Sequence, residues 1–360
     1  MTGDARRSRR VLRIAATGQG GASAQQRVLR DLLDDGATCT PHEVMVALGA
    51  QAGSVDHAEV TRVAARLRAL AGRVIVVGDD EYPAQLADAW PELGAPLWLF
   101  ATGTASLARR RPAVAIVGTR APTLDGARTA HALAAALAEA GVVVVSGLAR
   151  GIDQAAHRGA LDGGGDTIAV LGTGLGVDYP ARSGTLRTRI ARSGALLTEL
   201  PPGVGPRPWQ FLERNRIISG LADATVVVEG RERSGALQTA RLAGGQGRDV
   251  WAVPGSINAP TSAAPLSLLR DGAIPLTSID ELVAAVTGSR SSGGHPCSPV
   301  TPAGLSSAAA VLLDLLGPVP SSTDALVAAS TLPAHAVMAA VGELVDRNAA
   351  VVTPHGVVRA

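Results

Sequence analysis

Two aromatic and two arginine side chains fall within eight residues, at Trp209, Phe211, Arg214 and Arg216. Only 2% of the chain is aromatic, so this concentration stands out from the background. On a helix, Phe211 and Arg214 lie three apart on one face, with Trp209 and Arg216 two turns apart on a neighbouring stripe. The chemistry would be nucleic-acid contact. An aromatic face stacks on any base, and a guanidinium clamps phosphate while offering a second stacking plane. A second reading of residues 209–220 stays open: a core helix whose aromatics turn inward while its arginines cap a helix end or pair with Glu213.

Glycine turns supply another kind of chemistry. Apolar runs end in Gly118-Thr119-Arg120, in Ser146-Gly147-Leu148-Ala149-Arg150-Gly151-Ile152-Asp153, and in Gly172-Thr173-Gly174. Later runs end in Gly230, followed by Ser234-Gly235 opening a helix, and in Pro254-Gly255-Ser256. Glycine lets backbone amides approach an anion, and helix amino ends favour it. Glycine at such turns also serves steric needs alone, so several convergent turns with arginines count for more than any one.

Other chemistries are disfavoured. No G-x-G-x-x-G follows the first run, which argues against NAD or FAD. All 33 basic residues are arginine, so lysine Schiff-base chemistry and a P-loop lysine are excluded. Asp153 and His157, four apart on a helix, are suited to metal ligation or acid/base work, but no His/Cys cluster accompanies them; a structural hydrogen-bonding pair is the expectation. Ser146 lacks the G-x-S-x-G elbow of a nucleophile. No cofactor, metal or catalytic residue is expected.

With 360 residues, 46% of them hydrophobic and 18% charged, the chain suits two or three domains with sizeable cores. The net charge is +2, so any nucleic-acid site must be a local basic patch. Cys39 and Cys297 fall in different segments and support no disulfide framework. No apolar run reaches about 18 residues, so no membrane span is expected, and the location expected is the cytoplasm.

The elements that must position these residues follow in order. Residues 1–24 read as a disordered tail with arginines at 6, 7, 9, 10 and 13, either a solvated run or a weak nucleic-acid arm. Residues 25–110 read as a small helical domain and connector, with helices at 26–33, from 40 and at 60–70, then extended stretches at 74–77 and 96–100. Residues 111–288 alternate strand and helix, with strands near 114, 142, 167, 195, 224 and 249. Their continuous β-branched runs predict a parallel sheet covered on both faces, a doubly wound, Rossmann-like α/β domain. Ligands of such sheets bind outside the carboxyl ends of the strands. Residues 289–304 read as a flexible linker. Residues 305–360 read as three helices and a hairpin, a winged helix. Its near-neutral charge favours protein contact over DNA-groove reading.

The ordered motifs resemble the DNA-processing protein A family (DprA/Smf). They are Val117 to Arg120, Ser146 to His157, Thr167 to Gly172, Tyr179-Pro180, Arg214 to Ile218, Ser234 to Ala240 and Val250 to Gly255. The resemblance implies a sterile-alpha-motif-like (SAM-like) domain at the start and a winged-helix domain at the end. It implies a homodimeric binding protein, not an enzyme, that holds single-stranded DNA and loads the RecA recombinase onto DNA taken up in natural transformation. By motif, its strand-binding residues would be Gly118, Arg120, Gly147, Arg150, Gly151, Phe211, Arg214, Asn215, Arg216, Ser234 and Gly235. Replacing Arg120 or Arg214 by Ala is expected to weaken binding with little loss of stability. The chain departs from the family pattern at Asp166, where Lys is frequent, at Leu212 in place of Pro, and in the 261–273 loop, where Ala264 and Leu266 replace Gly and Asn. An alternative is a nucleotide phosphoribohydrolase of the lysine-decarboxylase-like Rossmann group. The glutamate of that group's helix-opening motif is missing from Ser234 to Leu242.

Overall fold

Unbroken apolar runs such as Val143-Val144-Val145 leave no polar face for solvent, and each becomes a strand buried on both sides. The computed structural model describes residues 57–87, 95–105, 107, 111–288, 305–316, 322–330, 332–346, 350–353 and 356–359. The tail, the expected helices at 26–33 and from 40, and the 289–304 linker lie outside them. Contacts divide the chain into two compact units, Met1–Ser289 and Arg290–Ala360.

The first unit begins with α1 (His57–Ala69), β1 (Arg73–Val76), α2 (Ala84–Ala87) and β2 (Trp98–Gly103). Then come β3 (Ala113–Val117), α3 (Leu124–Glu139), β4 (Val143–Ser146), α4 (Ile152–Asp162), β5 (Thr167–Val170), α5 (Gly184–Ser193) and β6 (Ala195–Thr198). It closes with α6 (Pro208–Gly220), β7 (Ala224–Val227), α7 (Gly235–Gly245), β8 (Asp249–Ala252), α8 (Ala263–Arg270), β9 (Ile274–Pro275) and α9 (Ile279–Thr287). Nine strands form one sheet in the order β1-β2-β6-β5-β4-β3-β7-β8-β9. From β6 to β9 all neighbours are parallel. β2 runs against both β1 and β6. Over residues 111–288 the sheet is parallel, as expected, and the connector strands β1 and β2 extend it with an antiparallel edge.

Residues of α3, α4 and α9 join the core on one face of the sheet, and those of α1 and α5 extend that side past β2 and β6. Residues of α6, α7 and α8 pack with the opposite face. The 261–273 segment, read as a loop, contains helix α8. Its alanines and leucines favour a helix, and Ala264 is fully buried. The crossovers step from β3 to β6 in one direction, and the chain then returns through α6 to β7 on the other side of β3. This reversal makes the carboxyl ends of β3 and β7 a topological switch point.

The second unit contains α10 (Ser307–Leu315), α11 (Thr323–Ser330), α12 (Ala334–Asp346) and an antiparallel hairpin of β10 (Ala350–Thr353) and β11 (Gly356–Arg359). Leu312, Leu326, Val337, Leu344 and Val357 close its core. This is the three-helix and hairpin pattern of a winged helix.

Candidate nucleic-acid interface

Helix α6 carries the aromatic and arginine cluster. Pro208 begins it, where a missing amide costs nothing, and Gln210 reaches back so that the Arg207 amide donates to its Oε1 at 2.8 Å. Its second half enters the core through Ile217 and Ile218. Its first half lies at the carboxyl edge of the sheet. There Phe211 is half-buried beside Gly172, where a Cβ would stand 2.4 Å from the ring. The Tyr179 ring lies 5.0 Å from Phe211, tilted by 40°. The Arg120 guanidinium lies over the Phe211 ring, its Cζ 5.8 Å from the centroid, within cation–π range.

Arg120 and Phe211 border two cavities. One, of about 330 Å³, sits at the switch point between the β3 turn and the amino end of α7. The other, of about 470 Å³, reaches Gly147, Arg150, Gly172 and Tyr179. The exposed cations on these cavities are Arg120 and Arg150, with Arg231 and Arg233 from the loop after β7.

Arg214 lines the switch-point cavity from its buried floor and not from that exposed rim. It is 7% exposed, and its Nη1 donates to the Gly147 carbonyl at 2.7 Å and also to the Val170 carbonyl. Burial lowers its pKa to about 10, so it stays charged at neutral pH. Asp153, equally buried, accepts the Gly147 amide at 3.1 Å and the Ala149 amide at 3.3 Å. Burial raises the Asp153 carboxyl above its ordinary range, and Arg214 opposes that rise. The loop between them is tightly held. Leu148 takes a left-handed φ of +56° with its side chain in the core, and Gly151 has φ +83° with no room for a Cβ against the Thr119 carbonyl. The expectation that Arg214→Ala would spare stability is therefore corrected: the guanidinium is a buried structural group. The Gly147 and Ala149 amides, expected to face an anion, serve Asp153.

Arg216 is buried too and pairs through Nη2 with both Glu199 oxygens, at 2.7 and 2.8 Å. It tethers α6 to the end of β6 and lines neither cavity. Asn215 and Gly118 line the switch-point cavity, and Gly118 is required because a Cβ would stand 2.5 Å from Ile152. Ser234 and Gly235 border the same cavity, with the Ser234 hydroxyl accepting the Leu237 amide at 3.3 Å. Trp209 is exposed.

Asp153 and His157 are not bonded to each other, which corrects the expected pair. Asp153 holds the β4 loop, while His157 bonds Thr167 Oγ1 at 2.7 Å inside the core. Among the described residues no cluster of three or more His, Cys, Asp or Glu is placed to hold a metal. Asp166 sits at the opposite, amino edge of the strands and pairs with Arg111, so the missing lysine there does not touch the cavities. Sequence reasoning did not assign Tyr179, Arg231 or Arg233 to the site. Tyr179 appeared only within a motif. Arg231 and Arg233 are drawn in because β7 lies beside β3, an adjacency that strand order alone reveals. No described helix is long and apolar enough to cross a membrane.

Fold and site together define a Rossmann-like α/β protein with a cationic, aromatic-floored cleft at its switch point, carried in one chain with a winged helix. The chain belongs to the DNA recombination-mediator protein A family, whose model matches residues 73–287, and the DprA winged helix domain matches residues 296–344. It is 47% identical over 237 residues to the DNA processing protein DprA of Mycobacterium tuberculosis, a match covering 62% of this chain and 61% of the relative. The chain thus matches about three fifths of that relative's length. Its fold resembles the crystal structure of DNA processing protein A from Streptococcus pneumoniae, with a TM-score of 0.63 and 34% identity over 77% of this chain and 98% of that one. It also resembles DNA processing protein A from Helicobacter pylori, described for its single-stranded DNA binding mode, with a TM-score of 0.54 and 27% identity over 60% of this chain and 96% of that one.

Proposed function

We propose that the protein binds single-stranded DNA without sequence preference and acts as a recombination mediator, protecting incoming DNA and loading the RecA recombinase during natural transformation. Family membership supports the mediator role, and the single-stranded DNA binding described for the Helicobacter relative supports the ligand. The observation that carries the reading is the Phe211 platform. It lies beside Tyr179 and under Arg120, between two cavities bordered by exposed arginines. Bases stack on the ring, and the guanidiniums take phosphates on either side. Arg120, Arg150, Phe211, Asn215, Ser234 and Gly235 contact the strand, with Gly118, Gly147 and Gly151 shaping the turns. Arg214 and Arg216 act through the scaffold. The protein works as a cytoplasmic homodimer, residues 25–71 form a SAM-like domain, and the winged helix contacts protein partners.

Titration of single- and double-stranded oligonucleotides across salt concentrations tests the reading. Tighter binding of the single strand, weakening with salt, is expected; equal affinity for both, or no salt dependence, overturns it. As a non-enzyme, the protein should release no free base from nucleoside monophosphates.

A further inference from the structure

The amino end of α7 differs from the neighbouring turns in what its backbone amides do. At α3 the Thr123 amide donates to Glu229 at 2.9 Å, and after β4 the Gly147 and Ala149 amides donate to Asp153. The protein's own carboxylates occupy those anion positions. At α7 the Ser234 hydroxyl takes the Leu237 amide, while the Gly235 and Ala236 amides make no hydrogen bond among the described residues. Space over Gly235 is open: a Cβ there would meet nothing nearer than Asn215 Nδ2 at 3.9 Å.

A second observation points to a ligand at the same place. Asn215 is 7% exposed and lines this cavity. Its carboxamide makes one long contact, Nδ2 to the Gly235 carbonyl at 3.4 Å, and its oxygen has no partner among the described residues. Around it stand the exposed guanidiniums of Arg120, Arg231 and Arg233, with no ion pair among the described residues. The volume, about 330 Å³, is near the lower limit of small-molecule clefts, roughly 300–1,000 Å³. That suits one nucleotide better than a run of them.

Charge decides between kinds of phosphate. An internal phosphodiester carries one negative charge, whereas a phosphomonoester carries about −1.5 to −2 at pH 7. Asp153 and Arg214 also line the cavity, as a buried pair of opposite charge that leaves its floor near neutral. Above them, two open helix amides, the positive end of the helix and three exposed guanidiniums match the dianion better. We propose that the switch-point cavity seats a single nucleotide bearing a phosphomonoester. Its phosphate lies on the amino end of α7 with Arg231 and Arg233, and its base lies against Phe211. The inference rests on, and deepens, the strand-binding reading: a strand enters this cavity by its phosphorylated end. A free nucleoside monophosphate offers the same chemistry.

The experiment compares one oligonucleotide sequence with a 5′-phosphate, with a 3′-phosphate, with hydroxyl ends and as a circle, by fluorescence anisotropy. A nucleoside 5′-monophosphate is titrated alone by calorimetry. One phosphorylated end should bind about tenfold tighter than the hydroxyl-ended strand, the factor of a single charge-assisted hydrogen bond. The double variant Arg231→Ala, Arg233→Ala should erase that preference and weaken the hydroxyl-ended strand less. Both residues sit on an exposed loop, so circular dichroism should show a parental fold. No end preference, together with monophosphate binding that needs Arg231 and Arg233, identifies the free nucleotide as occupant. Equal affinity for all strand forms with no monophosphate binding overturns the inference and leaves strand binding standing. Monophosphate binding with no strand binding does the reverse.

Discussion

A side chain at position 147 and the guanidinium of Arg214 cannot share the space they would need: a Cβ on Gly147 would stand 2.3 Å from Arg214 Nη1. The glycine instead offers its carbonyl to that nitrogen at 2.7 Å and its amide to Asp153 at 3.1 Å. One residue thus lies between a buried cation and a buried carboxylate, and the cleft floor is close to neutral. The positive field available to a strand comes from the rim.

Stability should report this arrangement. Gly147→Ala is expected to cost about 1–3 kcal/mol, as overpacking does. Arg214→Ala should cost roughly 3 kcal/mol or more, through two lost charge-assisted hydrogen bonds and the isolation of Asp153. Urea unfolding measures both, and parental stability in Arg214→Ala would remove its structural role.

The platform should report in binding. Phe211→Ala is expected to weaken single-stranded DNA by about 1–3 kcal/mol, the range for a stacked base. Gly172→Ala should act in the same direction, because its Cβ would stand 2.4 Å from the ring. Arg120→Ala should weaken binding with an unchanged melting temperature, since its side chain is exposed. Anisotropy titrations with paired thermal melts separate these effects.

Salt dependence should identify the cations that meet phosphate. With Arg120, Arg150, Arg231 and Arg233 each taking one, log K against log salt should fall with a slope of about −0.7 × 4, or roughly −3. Losing any one of these should shallow the slope by about 0.7. Arg216→Ala should leave the slope unchanged and cost about 3–5 kcal/mol of stability, because it removes one partner of the buried Arg216–Glu199 ion pair.

Acid should destabilise the fold through His157. The Thr167 hydroxyl donates to the Val144 carbonyl at 2.8 Å, so its oxygen accepts from His157 Nδ1 at 2.7 Å. Burial, with Arg214 and Arg158 nearby, pushes the imidazole down to about 3. The neutral ring is favoured in the fold, so this contribution is fully present above pH 6.5 and is lost progressively towards pH 3. Between pH 6.5 and 5 the loss should be about 2 kcal/mol. Chemical unfolding of the parent and His157→Gln at both pH values reads the difference, and equal pH dependence in the two would refute the assignment.

Much of this was legible along the chain. Val114 to Val117, Val142 to Val145 and Thr167 to Val170 read as buried strands, and helices lie between them as the alternation predicts. The winged helix was likewise legible in residues 305–359. Less legible was the exposure of each guanidinium. On α6, Arg214 and Arg216 carry the spacing of a phosphate clamp, yet both are buried, while Arg231 and Arg233 carried no local signal and line the cleft.

By itself, then, the chain of residues determined the alternation of strands and helices, the family motifs, and that arginine would supply every side-chain cation of the site apart from histidine. These follow from local composition, which acts within a turn of helix or a strand's length. Only the tertiary structure decided which arginines face a ligand. The partners of Arg214 lie 67 and 44 residues away, at Gly147 and Val170, and Arg231 reaches the cleft because β7 docks beside β3. Burial of a charge depends on what distant segments bring to it, and that is settled by strand order, which no local stretch encodes.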